Sequence, residues 1–142
     1  MDFLTIKELN INPRELSPLT LAYIGDAVFE VYARMYTLER IGNTSANRLN
    51  SATRRFVNAG AQARMFNAVF QIASEEELSV LKRGRNAKSQ TTAKNQSVTD
   101  YRHATGLEAL FGYLYLKGEE ERLTELFDIC IKENESEGTQ KS

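Results

Sequence analysis

Residues 17–38 read SPLTLAYIGDAVFEVYARMYTL, and this stretch decides the fold. Ser17 is placed to cap a helix and Pro18 to occupy its first turn, where a missing N–H costs nothing. Leu21, Ile24, Val28, Val31 and Met35 recur at steps of three and four, which predicts a helix with that stripe in the core. Ala22, Phe29 and Ala33 widen the apolar surface, so the helix is expected to be buried over most of its circumference.

The same periodicity continues outward. Gly42, Asn43 and Thr44 form a turn, and Ser45 can cap a second helix through Leu49, Ala52, Phe56 and Val57. A third runs from Ala59 to Ile72. Ser74 followed by Glu75, Glu76 and Glu77 is a helix start with acids in the first turn, and Gly84 is expected to end that helix. From Lys82 to Thr99 the chain is polar with almost no large apolar residue, which predicts a long surface loop. Helix resumes near Asp100 and continues to Gly118, and a last amphipathic helix spans Glu119 to about Glu133. No stretch alternates at period two, so the fold is expected to be an all-α helical bundle.

With 142 residues, the chain is expected to form a single domain over 1–142, with its core at about 16–133 and a frayed tail after Glu135. Cys130 is the only cysteine and His103 the only histidine, so an intrachain disulfide and zinc fingers are both excluded. A reducing, cytoplasmic setting fits. Met1 to Leu9 carries Asp2 and Glu8 and does not read as a secretory signal. Asp26, Glu30 and Arg34 interrupt the most apolar stretch, so no membrane span is expected.

The net charge of −1 conceals a segregation. Residues 40–103 hold eleven basic and four acidic side chains, or +7, while the remainder holds seven basic and fifteen acidic, or −8. A phosphate backbone responds to a local basic face and not to the net charge, so the middle of the chain is the candidate nucleic-acid surface. Scattered solvated arginines would give the same count.

Two carboxylates stand out. Asp26 sits amid Leu19, Ala22, Tyr23 and Phe29, and Glu108 amid Leu107, Ala109, Leu110 and Phe111. A carboxylate in such company is costly to desolvate unless it is paired, protonated or bound to a cation. The two could face each other around Mg²⁺, which prefers oxygen ligands and keeps several waters. Alternatively each could be satisfied by Arg34, Arg102 or a helix N-terminus.

The segment Tyr23-Ile24-Gly25-Asp26-Ala27-Val28-Phe29-Glu30 resembles the signature helix of the ribonuclease III catalytic domain, and Thr105-Gly106-Leu107-Glu108-Ala109-Leu110-Phe111-Gly112 resembles that family's second metal-binding helix. The basic run Leu81 to Lys88, with no double-stranded-RNA-binding domain expected to follow, narrows the resemblance to the Mini-III ribonucleases, over about residues 16–133. The resemblance implies a homodimer that cleaves double-stranded RNA with Mg²⁺, leaving 5′-phosphate and 3′-hydroxyl ends, in maturation of the 23S ribosomal RNA precursor. It implies catalytic and metal-binding roles for Asp26 and Glu108. Three motif acids are replaced here, by Leu19, Ala22 and Thr105, which predicts weak metal affinity and leaves open a non-catalytic duplex-RNA-binding module of the same fold. Glu30 or Asp100 could compensate, although Glu30 is better placed to pair with Arg34 four residues on.

The basic run would contact phosphates, since A-form duplexes are recognised through shape, phosphate and 2′-hydroxyl groups. Arg83, Arg85 and Lys88 lead this RNA-binding set, with Lys82, Lys94 and Arg55 behind them. His103 is read as a surface or capping residue, Tyr113 and Tyr115 as core, and Cys130 as buried and inert.

Overall fold

In the computed structural model, residues 10–87 and 97–141 are described, with side chains as far as Ser136. Among them, a 3-10 turn at Pro13–Glu15 leads into six helices: α1 Pro18–Ile41, α2 Ala46–Val57, α3 Ala59–Ile72, α4 Glu75–Asn86, α5 Val98–Lys117 and α6 Glu120–Lys141. There is no strand among the described residues, and no helix is long and apolar enough to cross a membrane.

The caps explain the boundaries. The side chains of Ser17, Ser45, Asn58 and Ser97 accept from the backbone N–H of Thr20, Arg48, Ala61 and Asp100 respectively. Ser74 and Glu77 close a reciprocal capping box at the start of α4. Gly118 adopts a left-handed conformation, φ +77°, and ends α5.

Helix α5 is the central element, packed by α1, α3 and α4. Eleven of its side chains or glycines are buried, among them Leu107, Leu110, Phe111 and Leu114. At one end of the core Phe29 meets Phe111 and Phe127 edge-on, with ring centroids 5.2 and 5.7 Å away, and stacks with Phe56 at 6.2 Å. Such offset and edge contacts add to the burial of the rings themselves.

The stripe predicted for α1 is only partly the one observed. Leu21 and Val28 are buried, but Val31 and Met35 are 56% and 61% exposed. Gly25, Phe29 and Ala33 are buried in their place, and Tyr32 and Tyr36 pack partly against the core. The helix is therefore not enclosed: Tyr23, Ala27, Val31, Met35 and Leu38 form an uncovered row.

Gly84 does not end α4. It lies inside the helix, because a Cβ there would come within 2.8 Å of the Gly106 Cα and 2.9 Å of the Ala109 Cβ on α5. The missing side chain serves helix packing, and α4 continues to Asn86. Of the long loop expected from Lys82 to Thr99, Lys82, Arg83 and Arg85 are instead helical, and so are Val98 and Thr99 at the start of α5, while residues 88–96 lie outside the described residues.

Two acids of the α4 capping region anchor neighbouring elements. Glu77, 6% exposed, takes a two-pronged bond from Arg122, with Nε and Nη2 each at 2.8 Å. Glu76 accepts from the Tyr113 hydroxyl, from Lys117 Nζ at 3.1 Å and from Arg14 Nη2 at 3.0 Å. That cluster draws its carboxyl down to about 2, with the Tyr113 hydrogen bond the largest cause.

Candidate active site

The site is built where α1 crosses α5. Gly25 and Gly112 have no side chain at the crossing, so the backbones approach until a Cβ on Gly25 would stand 2.8 Å from the Gly112 nitrogen. The residue after Gly25 is Asp26, and Glu108 lies one turn before Gly112. The close crossing therefore delivers both carboxylates to one place. Their carboxyl groups are within hydrogen-bonding reach of each other.

Their surroundings differ. Asp26 is exposed, which corrects the expectation of an apolar enclosure, whereas Glu108 is partly buried. Burial first, and the facing Asp26 carboxyl second, push the Glu108 carboxyl up to about 9. Two ionised carboxylates at this range repel, so the pair needs either a shared proton or a cation between them.

A third group joins from α3. The Gln62 carboxamide, 4% exposed, lies near enough to the Glu108 carboxyl to act against its protonation, while its Nε2 donates to the Val57 carbonyl at 3.0 Å. Gln62 thus joins the corner between α2 and α3 to the surroundings of Glu108. The sequence reading missed this residue, although an amide among Ala61, Ala63, Met65 and Phe66 was a visible sign of a buried polar contact.

The alternative partners are engaged elsewhere or exposed. Arg34 Nε donates to Glu30 Oε1 at 2.9 Å, as the four-residue spacing predicted, and Arg102 is exposed. Thr105, standing where the motif carries an acid, is buried and donates to the Tyr101 carbonyl at 2.9 Å. Asp100 does not complete the pair: its Oδ2 lies beside Gly60, near the N-terminus of α3. Among the described residues, no three His, Cys, Asp or Glu side chains converge. The donor set is two carboxylates and one amide. All are hard oxygen ligands or hydrogen-bond supports, which fits a divalent cation that retains water.

The basic residues divide into three places. Lys82 Nζ and Arg85 Cζ lie 5.9 and 6.0 Å from the centre of the Phe70 ring, so these two come together. Arg83, on the other side of α4, reaches the Leu16 carbonyl at 3.4 Å. Arg55 belongs to a separate groove among α1, α2 and α6. Lys88 and Lys94 lie outside the described residues. The basic end of α4 rests on the part of α5 that carries Glu108, through the Gly84 contacts with Thr105, Gly106 and Ala109. His103 packs its ring 4.7 Å from that of Phe66, and Tyr113 is buried with its hydroxyl on Glu76.

Residues 19–119 match the ribonuclease III domain. The chain belongs to the ribonuclease III family. As a member it is an endoribonuclease. It is 48% identical to the Mini-ribonuclease 3 of Clostridium tetani over 83% of this chain and 78% of that one. It is 46% identical to the Mini-ribonuclease 3 of Brevibacillus brevis over 92% and 98% of the two chains. A crystal structure of a Fusobacterium nucleatum protein superposes with a TM-score of 0.75 at 34% identity, covering 84% of this chain and 94% of that one.

Proposed function

We propose that this endoribonuclease cleaves double-stranded RNA with Mg²⁺, as a Mini-III enzyme acting on the 23S ribosomal RNA precursor in the cytoplasm. The observation that carries the chemistry is the convergence of Asp26 on α1 and Glu108 on α5, residues 82 positions apart in sequence. Bound there, Mg²⁺ would lower the pKa of a water and offset charge developing on phosphorus.

The protein's own residues divide the remaining tasks. Exposed Asp26 presents its oxygens toward solvent and substrate, and Glu108 holds the inner side. Gln62 orients Glu108 and favours its ionised, ligating form. Arg83, Arg85 and Lys82 supply phosphate contacts from the α4 end, with Lys88 and Lys94 following them in sequence. With Leu19, Ala22 and Thr105 in place of acids, the cation would depend largely on water and RNA oxygens.

The uncovered row on α1 supports a homodimer. Tyr23, Val31, Met35 and Leu38 are 78%, 56%, 61% and 52% exposed, a contiguous apolar face that a second copy of the chain would bury.

The test is cleavage of structured RNA with Mg²⁺ by wild type and Asp26→Asn, with the product ends analysed. Losing a group that only supports a metal ligand already costs up to about 100-fold, so losing a ligand should cost at least that. Equal cleavage by both proteins would overturn the assignment. Duplex binding without cleavage by the wild type would favour the non-catalytic module, the reading that the three missing acids keep open.

A further inference from the structure

Arg40 differs from the arginines around it. Arg34 is tied to Glu30, and Arg122 to Glu77 and Glu125. Arg40 is held by a neutral group: its Nη1 donates to the Tyr36 hydroxyl at 3.0 Å, and its Cζ lies 5.3 Å from the centre of the same ring. The Tyr36 hydroxyl donates in turn to Glu135 Oε1 at 2.8 Å. The guanidinium is thus held in place while most of its N–H donors have no partner among the described residues.

Facing it is Arg55. The two line one groove of about 320 Å³, with Tyr36, Thr37, Phe56 and Asn134 among the other walls and no carboxylate among the described lining residues. Neither arginine enters an ion pair among the described residues. Helix α2, which carries Arg55, also bears Arg48 and Arg54 and has no acidic residue. An anion entering the groove would be drawn to the guanidinium of each lining arginine. Arg40 follows Asp26 by fourteen positions on α1, about 21 Å along the axis, so this groove is separate from the carboxylate pair.

We propose that this groove is a second, non-catalytic phosphate-binding site, in which Arg40 and Arg55 hold a backbone phosphate of the duplex RNA. The choice of RNA as occupant rests on the function proposed above; the phosphate chemistry rests on the groove alone. Such a site would extend the footprint of the substrate beyond the cleavage point and hold it in register, as phosphate contacts do in nucleic-acid complexes generally.

The experiment uses the full chain with Arg40→Gln and Arg55→Gln combined, and a second variant, Arg40→Lys with Arg55→Lys, to retain the charge. Duplex RNA affinity is measured across a salt series in the Asp26→Asn background, and adenosine monophosphate is titrated with NMR detection of the α1 C-terminal half and α2. The glutamine variant should lower the log–log salt slope by about one, for the one phosphate no longer neutralised. It should raise KM in the Asp26 enzyme with kcat nearly unchanged and abolish the nucleotide-induced shifts, while the lysine variant keeps most of the slope. An unchanged slope with nucleotide shifts lost in the glutamine variant would retain the phosphate site and overturn RNA as its occupant. An unchanged slope with no nucleotide shifts in wild type overturns the site altogether. Failure of the wild type to cleave duplex RNA would sink the function and leave the nucleotide titration to report on the groove independently.

Discussion

Gly25 on α1 and Gly112 on α5 lie against each other, the nitrogen of each within 2.9 Å of where a Cβ on the other would stand. The obstacles are backbone atoms of Leu21 and Glu108 as well as the glycines themselves, so no side-chain rotation can make room. Gly25→Ala or Gly112→Ala should therefore force the helices apart. Overpacking costs about 1–3 kcal/mol, and a backbone obstacle places these variants at the upper end or beyond. Cleavage should fall more steeply than helix content measured by circular dichroism, because separation of the helices also separates Asp26 from Glu108.

The pH dependence of stability follows from Glu108. Its carboxyl is raised from 4.5 to about 9, so the folded protein holds a proton that the unfolded chain releases above 4.5. Stability from this group is fully present below about 4.5 and is lost as pH rises toward about 9. The melting temperature of metal-free wild type should decline across that window, and Glu108→Gln should flatten the decline. An equal decline in both proteins would place the titrating group elsewhere.

Glu77 and Arg122 form the best-buried ion pair among the described residues, with the Glu77 side chain 8% exposed and that of Arg122 27%. Arg122→Ala leaves a buried carboxylate with only its capping contacts, a loss of about 3 kcal/mol or more in urea unfolding. Arg34→Ala removes an exposed pair four residues apart on one helix and should cost at most about 0.5 kcal/mol. Similar midpoints for the two variants would count against this ranking.

The uncovered α1 row makes oligomeric state sensitive to one change. Met35→Glu places a charge in the middle of that face, where the side chain is already solvated in a monomer. Sedimentation should show a dimer for wild type and a weakened one for the variant, with helix content unchanged. A wild-type monomer at micromolar concentration would remove the dimer from the proposal.

Much of this was legible in the residues. Caps at Ser17, Ser45 and Ser74 set helix starts that agree with the structure, because a side-chain oxygen beside a free backbone N–H is a local signal. The carboxylate pair was legible as two acids in apolar helices. What the sequence hid were non-local facts. Val31 and Met35 fit a core stripe by spacing, yet which side of an apolar helix is covered depends on where α2, α5 and α6 pack. Gly84 looked like a stop because its reason for being glycine, contact with Gly106 and Ala109, lies on another helix. Gln62 was overlooked for the same reason: its partner Glu108 is 46 positions away.

Cys130 lies fully buried on α6, and burial pushes its thiol well above the ordinary range. The native protein should therefore resist alkylating reagents almost completely, since neither access nor thiolate is available. As the only sulfhydryl in the chain, it makes every modification event a record of one molecule having opened. Pulse labelling at this atom could time the opening of the bundle, with and without RNA, without any engineered probe.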